Sequence, residues 1–112
     1  MDKFIKIFRA LSDENRLRIY LLLSQAELCV CELINILNIE QSRISHGLRI
    51  LKEAGLIDNH KAGKWNIYSV NQRTKENKII QALEREIKLS EIEFDNLKRC
   101  KIENIREKSK CN

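Results

Sequence analysis

The chain has no proline and only three glycines, Gly47, Gly55 and Gly63, among 112 residues. Proline and glycine are the residues an α-helix tolerates least, so their scarcity predicts long helices. Gly55 and Gly63 bracket the one short stretch expected to be β. No apolar run approaches the roughly 20 residues needed to cross a bilayer; the longest is Ile19 to Leu23. Met1-Asp2-Lys3-Phe4-Ile5-Lys6 lacks the apolar core of a secretion signal, so a cytoplasmic location is expected. Thiols stay mostly reduced there, and the four cysteines read as ligands, redox thiols or packing rather than a disulfide framework. There is no Ser-His-acid set, no glycine-rich phosphate loop and no histidine-rich cluster, and with two histidines in all, an enzyme is not expected.

What is present is charge with an uneven distribution. The formal net charge is +5. Residues 1–40 carry five basic and six acidic side chains. Residues 41–73 carry six basic (Arg43, Arg49, Lys52, Lys61, Lys64, Arg73) against two acidic (Glu53, Asp58), and the remainder carries ten and eight. The positive excess thus centres on the middle third, as a phosphate-contacting surface requires. An apolar fraction of 43% supplies only a thin core at this size, which favours further burial through oligomerisation.

Phe4, Ile7, Phe8 and Leu11 recur at helical spacing. Ser12 and Asp13 can cap a second helix that turns Leu17, Tyr20 and Leu21 inward. After a polar connection over residues 24–28, a short helix is expected from about Val30 to Leu37, burying Leu33, Ile34 and Leu37. Asn38-Ile39-Glu40 makes a turn, and a second helix follows from Gln41 to about Ala54, its buried stripe Ile44, Leu48 and Leu51. Gly55 supplies a left-handed stop. Residues 56–60 and 65–70 then form a hairpin with a basic tip at Lys61-Ala62-Gly63-Lys64; Trp65 and Tyr68 are expected to pack this hairpin onto the body of the domain rather than to stack on bases. From about Thr74 a single helix is expected to run toward Lys108, with Ile80, Leu83, Ile87, Phe94 and Leu97 forming a stripe. At 1.5 Å per residue it would span about 50 Å, which is too long for so small a core, so the stripe calls for a partner helix, most simply its own copy in a homodimer.

Two short helices, a tight turn and a basic-tipped hairpin are the order of a winged helix-turn-helix. The chain is therefore read as mostly α with a small β-hairpin wing, a single domain over 1–112 that dimerises through its terminal helices. The second helix would lie in the major groove of double-stranded operator DNA. Its exposed early positions, Gln41, Ser42, Arg43, Ser45, His46 and Arg49, are groups that bond to base edges and phosphates. Lys61 and Lys64, with His60, would meet the DNA backbone from the wing.

At these residues the chain resembles the ArsR/SmtB family of metal-responsive winged-helix repressors. The matching stretches are Phe8-Arg9-Ala10-Leu11-Ser12-Asp13 with Arg16-Leu17-Arg18-Ile19, Glu27-Leu28-Cys29-Val30-Cys31-Glu32-Leu33, Gln41-Ser42-Arg43-Ile44-Ser45-His46, Leu51-Lys52-Glu53-Ala54-Gly55-Leu56-Ile57, and Gly63-Lys64-Trp65 leading to Tyr68. The likeness covers residues 4–70 and implies a homodimer, a two-half-site operator and repression relieved by an inducer. The chain departs from the family pattern at Glu14, where a proline is usual, at Glu40, where Ser or Asp is usual, and at Gly47, where a bulkier residue stands. Gly47 either costs the reading helix roughly 1 kcal/mol against alanine or lets it approach the DNA backbone more closely.

Cysteine pairs select soft ions, and Leu28-Cys29-Val30-Cys31-Glu32-Leu33 resembles the sensing motif of the family's arsenic and cadmium/lead repressors. Cys29 and Cys31 are the expected ligands for As(III) or Sb(III) as inducer, with no permanent cofactor. On a regular helix, side chains two apart diverge, so one ion can take both only if the helix start distorts. A third cysteine that arsenic repressors carry three residues on is Ile34 here; an outside thiol, Cys100 or Cys111 is left to supply the third sulfur. Zinc and nickel sensors of the family use histidine and carboxylate on the last helix, where this chain has no histidine. Two alternatives share the fold: a Cd(II)/Pb(II) repressor, and a persulfide or redox sensor joining Cys29 or Cys31 to Cys100.

Overall fold

The computed structural model describes residues 1–108. In chain order the elements are α1 (Asp2–Leu11), α2 (Glu14–Gln25), β1 (Leu28–Cys29), α3 (Val30–Leu37), α4 (Gln41–Glu53), β2 (Ile57–Ala62), β3 (Trp65–Val70), α5 (Gln72–Lys75), α6 (Lys78–Glu86), α7 (Glu91–Ile102) and α8 (Ile105–Lys108). The chain is mostly helical with one small antiparallel sheet, ordered β1-β3-β2. The α3–turn–α4 pair followed by the β2–β3 hairpin is a winged helix-turn-helix.

Local chemistry sets the boundaries. The Asp13 carboxylate accepts the Arg16 backbone N–H at 3.0 Å and starts α2. Asn38, at φ 55°, ends α3. At the end of α4, Gly55 takes φ 82°; its N–H bonds to the Lys52 carbonyl and the Leu56 N–H to the Leu51 carbonyl. That is the double closure of a Schellman motif, and Leu51 and Leu56 are both buried beneath it. The stripe Ile44, Leu48, Leu51 is fully buried against Ile19, Tyr20, Leu22 and Leu33, with Leu28, Ile57 and Ile80 closing the core.

Gly47 belongs to this core and not to the outer face. A β-carbon there would lie 3.1 Å from Ile19 Cδ1 and 3.3 Å from Arg16 Cγ. The glycine therefore lets α4 cross close to α2, which decides between the two expected roles in favour of neither as stated: its function is helix packing.

Two sequence expectations need correction. The chain from Thr74 is not one long helix; it breaks into α5, α6, α7 and α8. Asn77 caps α6 by accepting from Ile79 and Ile80, and Ser90 caps α7 by accepting from Glu93. Asn104, at φ 54°, interrupts the path into α8. Short polar side chains that bond to nearby backbone N–H groups compete with helix continuation, and they win at Asn77 and Ser90. The segment folds back over α3 instead of projecting 50 Å. The second correction is Leu28–Cys29, expected within a loop and the following helix. It is a strand, with Leu28 opposite Tyr68 and Cys29 opposite Ile67. The hairpin is also tighter than expected: Ala62 pairs with Trp65, leaving Gly63, at φ 63°, and Lys64 as a two-residue turn.

Candidate nucleic-acid interface and thiol site

The candidate reading face is built by α4. With Ile44, Gly47, Leu48 and Leu51 turned inward, Gln41, Ser42, Arg43, Ser45, His46 and Arg49 are all exposed. Arg43 sits 3.5 Å from Glu40, and Arg49 4.0 Å from Glu53. Ion pairs this exposed contribute about 0–1 kcal/mol, so either arginine can leave its carboxylate for DNA at little cost. Arg49 also donates to His46 Nδ1 at 2.9 Å, which puts the neutral ring's proton on Nε2. On the hairpin, Lys61 and Lys64 are exposed, and the Lys64 ammonium lies 5.2 Å from the Trp65 ring centroid. His60 is not on that tip; its ring reaches Glu27 at 4.0 Å.

The cysteines form a separate, buried constellation at the β1–α3 junction. Cys29 is the N-cap of α3, with φ −95° and ψ 170°, and Cys31 is in the helix's first turn. The expected obstacle, two side chains diverging on a regular helix, therefore does not arise: Cys29 lies outside the helix. Both sulfurs pack into one small cluster with Ile67 and Trp65. Cys100, also fully buried, belongs to the main core rather than to this cluster. Cys111 lies outside the described residues. Among the described residues no group of three or more His, Cys, Asp or Glu is arranged to hold a metal ion.

Glu32, which sequence reasoning missed, organises this junction. Its carboxylate is 2% exposed. Oε1 accepts the Cys29 N–H at 3.0 Å and the Arg106 guanidinium at 3.0 Å (Nε) and 2.7 Å (Nη2), while Oε2 accepts Lys101 Nζ at 3.3 Å. The first bond is half of a capping box. The signal was present as a residue three positions after the N-cap, but cysteine is not a residue one reads as a cap. Arg106 and Lys101 also each donate to the Glu27 carbonyl at 3.2 Å, and Trp65 Nε1 donates to the Arg106 carbonyl at 3.2 Å.

Burial works against the Glu32 charge, but the Cys29 N–H and then Arg106 and Lys101 outweigh it and hold the carboxyl below its usual range. Burial raises the Cys29 thiol; the Glu32 backbone N–H opposes this, and the Glu32 carboxylate adds to it. Burial, then the Glu32 carboxylate, pushes Cys100 up to about 11. Both thiols are therefore held in their protonated form at neutral pH.

The family model described as "Bacterial regulatory protein, arsR family" matches residues 13–59. Among similar proteins, the arsenical resistance operon repressor of Escherichia coli is 47% identical over 68 residues, 60% of this chain and 58% of that protein. The cadmium resistance transcriptional regulatory protein CadC of Listeria innocua is 40% identical over 85 residues, 75% of this chain and 68% of that protein. Among solved structures, reduced HlyU from Vibrio cholerae superposes with a TM-score of 0.68 at 29% identity, covering 79% of this chain and 92% of that one. No described helix is long and apolar enough to cross a membrane.

Proposed function

The chain belongs to the arsR family of bacterial regulatory proteins, and from that premise we propose that it is a homodimeric repressor released from operator DNA by As(III) or Sb(III) bound to Cys29 and Cys31. The observation that carries this reading is the position of the pair: both cysteines share one buried cluster at the start of α3, the helix that supports α4. Gln41, Ser42, Arg43, Ser45, His46 and Arg49 read the major groove, and Lys61 and Lys64 contact the backbone from the wing.

The raised thiol pKa favours a metalloid over a divalent ion. Arsenous acid is neutral, and each S–As bond forms as the thiol proton leaves with an As–OH group as water, so no net proton is expelled. Cd(II) or Pb(II) must displace a proton from the Cys29 thiol, which burial makes harder to ionise. Two protein sulfurs leave one position of a pyramidal As(III) site for an outside thiol. A persulfide- or redox-responsive reading is supported by one observation: Lys101, next to Cys100 in sequence, bonds to Glu32, which also accepts the Cys29 N–H.

The test is fluorescence anisotropy of a labelled operator duplex, titrated separately with As(III), Sb(III), Cd(II) and a persulfide donor. Release by As(III) and Sb(III) is expected; release by the persulfide donor alone overturns the metalloid reading in favour of the redox one.

Dimerisation is assigned to α1, which buries Ile7 and Leu11 but leaves Phe4 and Phe8 39% and 48% exposed. Sedimentation velocity at low micromolar concentration should find a dimer, and a Phe4→Asp, Phe8→Asp variant should sediment as a folded monomer. A variant dimer as tight as the parent would move the interface elsewhere.

A further inference from the structure

Cys29 and Cys31 are closed in, and what closes them is local. Trp65 and Ile67 of β3 wall one side. On another lies a cavity of about 310 Å³, lined by Cys31, Ile34, Asn35, Ile105 and Lys108. Two of those five residues belong to α8, a single four-residue turn. Just before α8, Asn104 stands at φ 54°, so the turn is joined to α7 by a backbone corner rather than by continuous helix. Of the α8 side chains, Ile105 alone packs against the apolar core, and only partly. What otherwise fixes this end of the chain is polar: Arg106 and Lys101 on Glu32 and on the Glu27 carbonyl, and the Trp65 indole on the Arg106 carbonyl.

We propose that α8 and the end of α7 form a latch over the Cys29–Cys31 pair, that Glu32 holds it shut through Arg106 and Lys101, and that opening it admits the ligand. The proposal rests on the reading of Cys29 and Cys31 as the sensing pair. The same carboxylate that grips Arg106 also accepts the Cys29 N–H, so the latch and the cysteine backbone share one anchor. Elements held by few apolar contacts and by partly exposed polar bonds open at the low end of a protein's free-energy scale; α8 fits that description, while β3 and α3, buried on both sides of the pair, do not. The cavity is lined by Cys31 but not by Cys29, so a metalloid that binds both sulfurs and carries an outside thiol requires the Ile105–Lys108 wall to move. Its capture holds α8 open, and this removes Arg106 from Glu27 and Glu32 and frees the β1–α3 junction on which α4 is mounted. Glu32 is thus a positioning residue, acting on the thiols through the backbone and through Arg106.

The test measures access without metalloid or DNA. The full chain, freshly reduced, is treated with N-ethylmaleimide, quenched at intervals, and the labelling of Cys29 and Cys31 is followed by peptide mass spectrometry. Arg106→Gln leaves Glu32 paired with Lys101 and with the Cys29 N–H; Glu32→Gln keeps the amide oxygen for Cys29 but removes the charge Arg106 needs. Each should label both cysteines at least about tenfold faster than the parent. Arg99→Gln, in α7, loses an ion pair with exposed Glu103 and a bond to Asn35 but leaves both Glu32 clamps in place, and should stay within about twofold. Far-UV circular dichroism and a cooperative thermal melt check that each variant is folded, and the two independent variants guard against loss of either one. Labelling of both variants within twofold of the parent overturns the latch. Faster labelling together with no response to As(III) keeps the latch and rejects the inducer; a response to As(III) with unchanged labelling does the reverse.

Discussion

Replacing Cys29 and Cys31 together with serine is expected to leave operator affinity within about threefold of the parent while abolishing release by As(III), even at about 100 times the concentration that frees the parent. The fold should survive because of what each residue does locally. Cys29 is an N-cap, and serine is a better N-cap than cysteine; its hydroxyl can take the Glu32 backbone N–H that the sulfur faces now. Cys31 is 4% exposed, and a hydroxyl placed there costs about 1–3 kcal/mol if it finds no partner. That is a minority of the stability expected of a domain this size, and neither residue touches the outer face of α4. What vanishes is the soft donor pair, since hydroxyls do not hold As(III) against water. Anisotropy of the operator complex checks both halves. Undiminished release of the double variant would place the sensing site elsewhere and leave Cys29 and Cys31 as packing. The parent offers a control: its As(III) response should vary little between pH 6.5 and 8, because capture expels no net proton, whereas any Cd(II) response should strengthen with pH as the raised Cys29 thiol becomes easier to ionise. A steeply pH-dependent As(III) response would contradict the water-releasing exchange.

The DNA-reading half of this chain was legible because its signals are short-range. Ile44, Leu48 and Leu51 repeat within seven residues, Gly55 marks the helix end two residues after Glu53, and the hairpin follows at once. The structure buries the three and exposes every polar position between them. The last third was misread for an equally physical reason. Asn77, Ser90 and Asn104 are tolerable inside a helix by propensity, and only tertiary packing decides that they cap or turn. The apolar stripe was real, but Ile80, Leu97 and Cys100 spend it on this chain's own core, while Ile87 remains 40% exposed. The thiol site was half visible. Two cysteines ahead of α3 were evident, but β1 exists only because Cys29 meets Ile67, and Glu32 is clamped by Arg106, 74 positions away in sequence. No local pattern announces a buried carboxylate whose partners arrive from the far end of the chain.

Arg43→Ala and Arg49→Ala are each expected to weaken operator binding by about tenfold or more, the usual worth of a bidentate base contact being about 1–3 kcal/mol. Their own fold should not suffer. Both side chains are about two-thirds exposed, at 67% and 65%; Arg43 loses a surface ion pair to Glu40, and Arg49 loses one to Glu53 together with its exposed bond to His46. Alanine is also the better helix former, so thermal midpoints should be unchanged or slightly higher. The two arginines stand six residues apart, about 9 Å along the helix axis, far enough for their losses to add, so the double variant should lose roughly 100-fold or more. Salt dependence then separates their roles. An arginine on a phosphate reduces the slope of log affinity against log salt by about one when removed and weakens all sequences alike, whereas one on a base edge leaves the slope and relaxes specificity at one position. Arg49, held against His46, has less freedom to reach deep into the groove than Arg43 in the first turn, so Arg43 is expected to be the base reader and Arg49 the phosphate contact. As(III) capture, measured by protection of the cysteines from alkylation, should be the same in both variants as in the parent, because α4's outer face and the β1–α3 junction share no side chain. Parent-like operator affinity in the double variant would refute α4 as the reading helix.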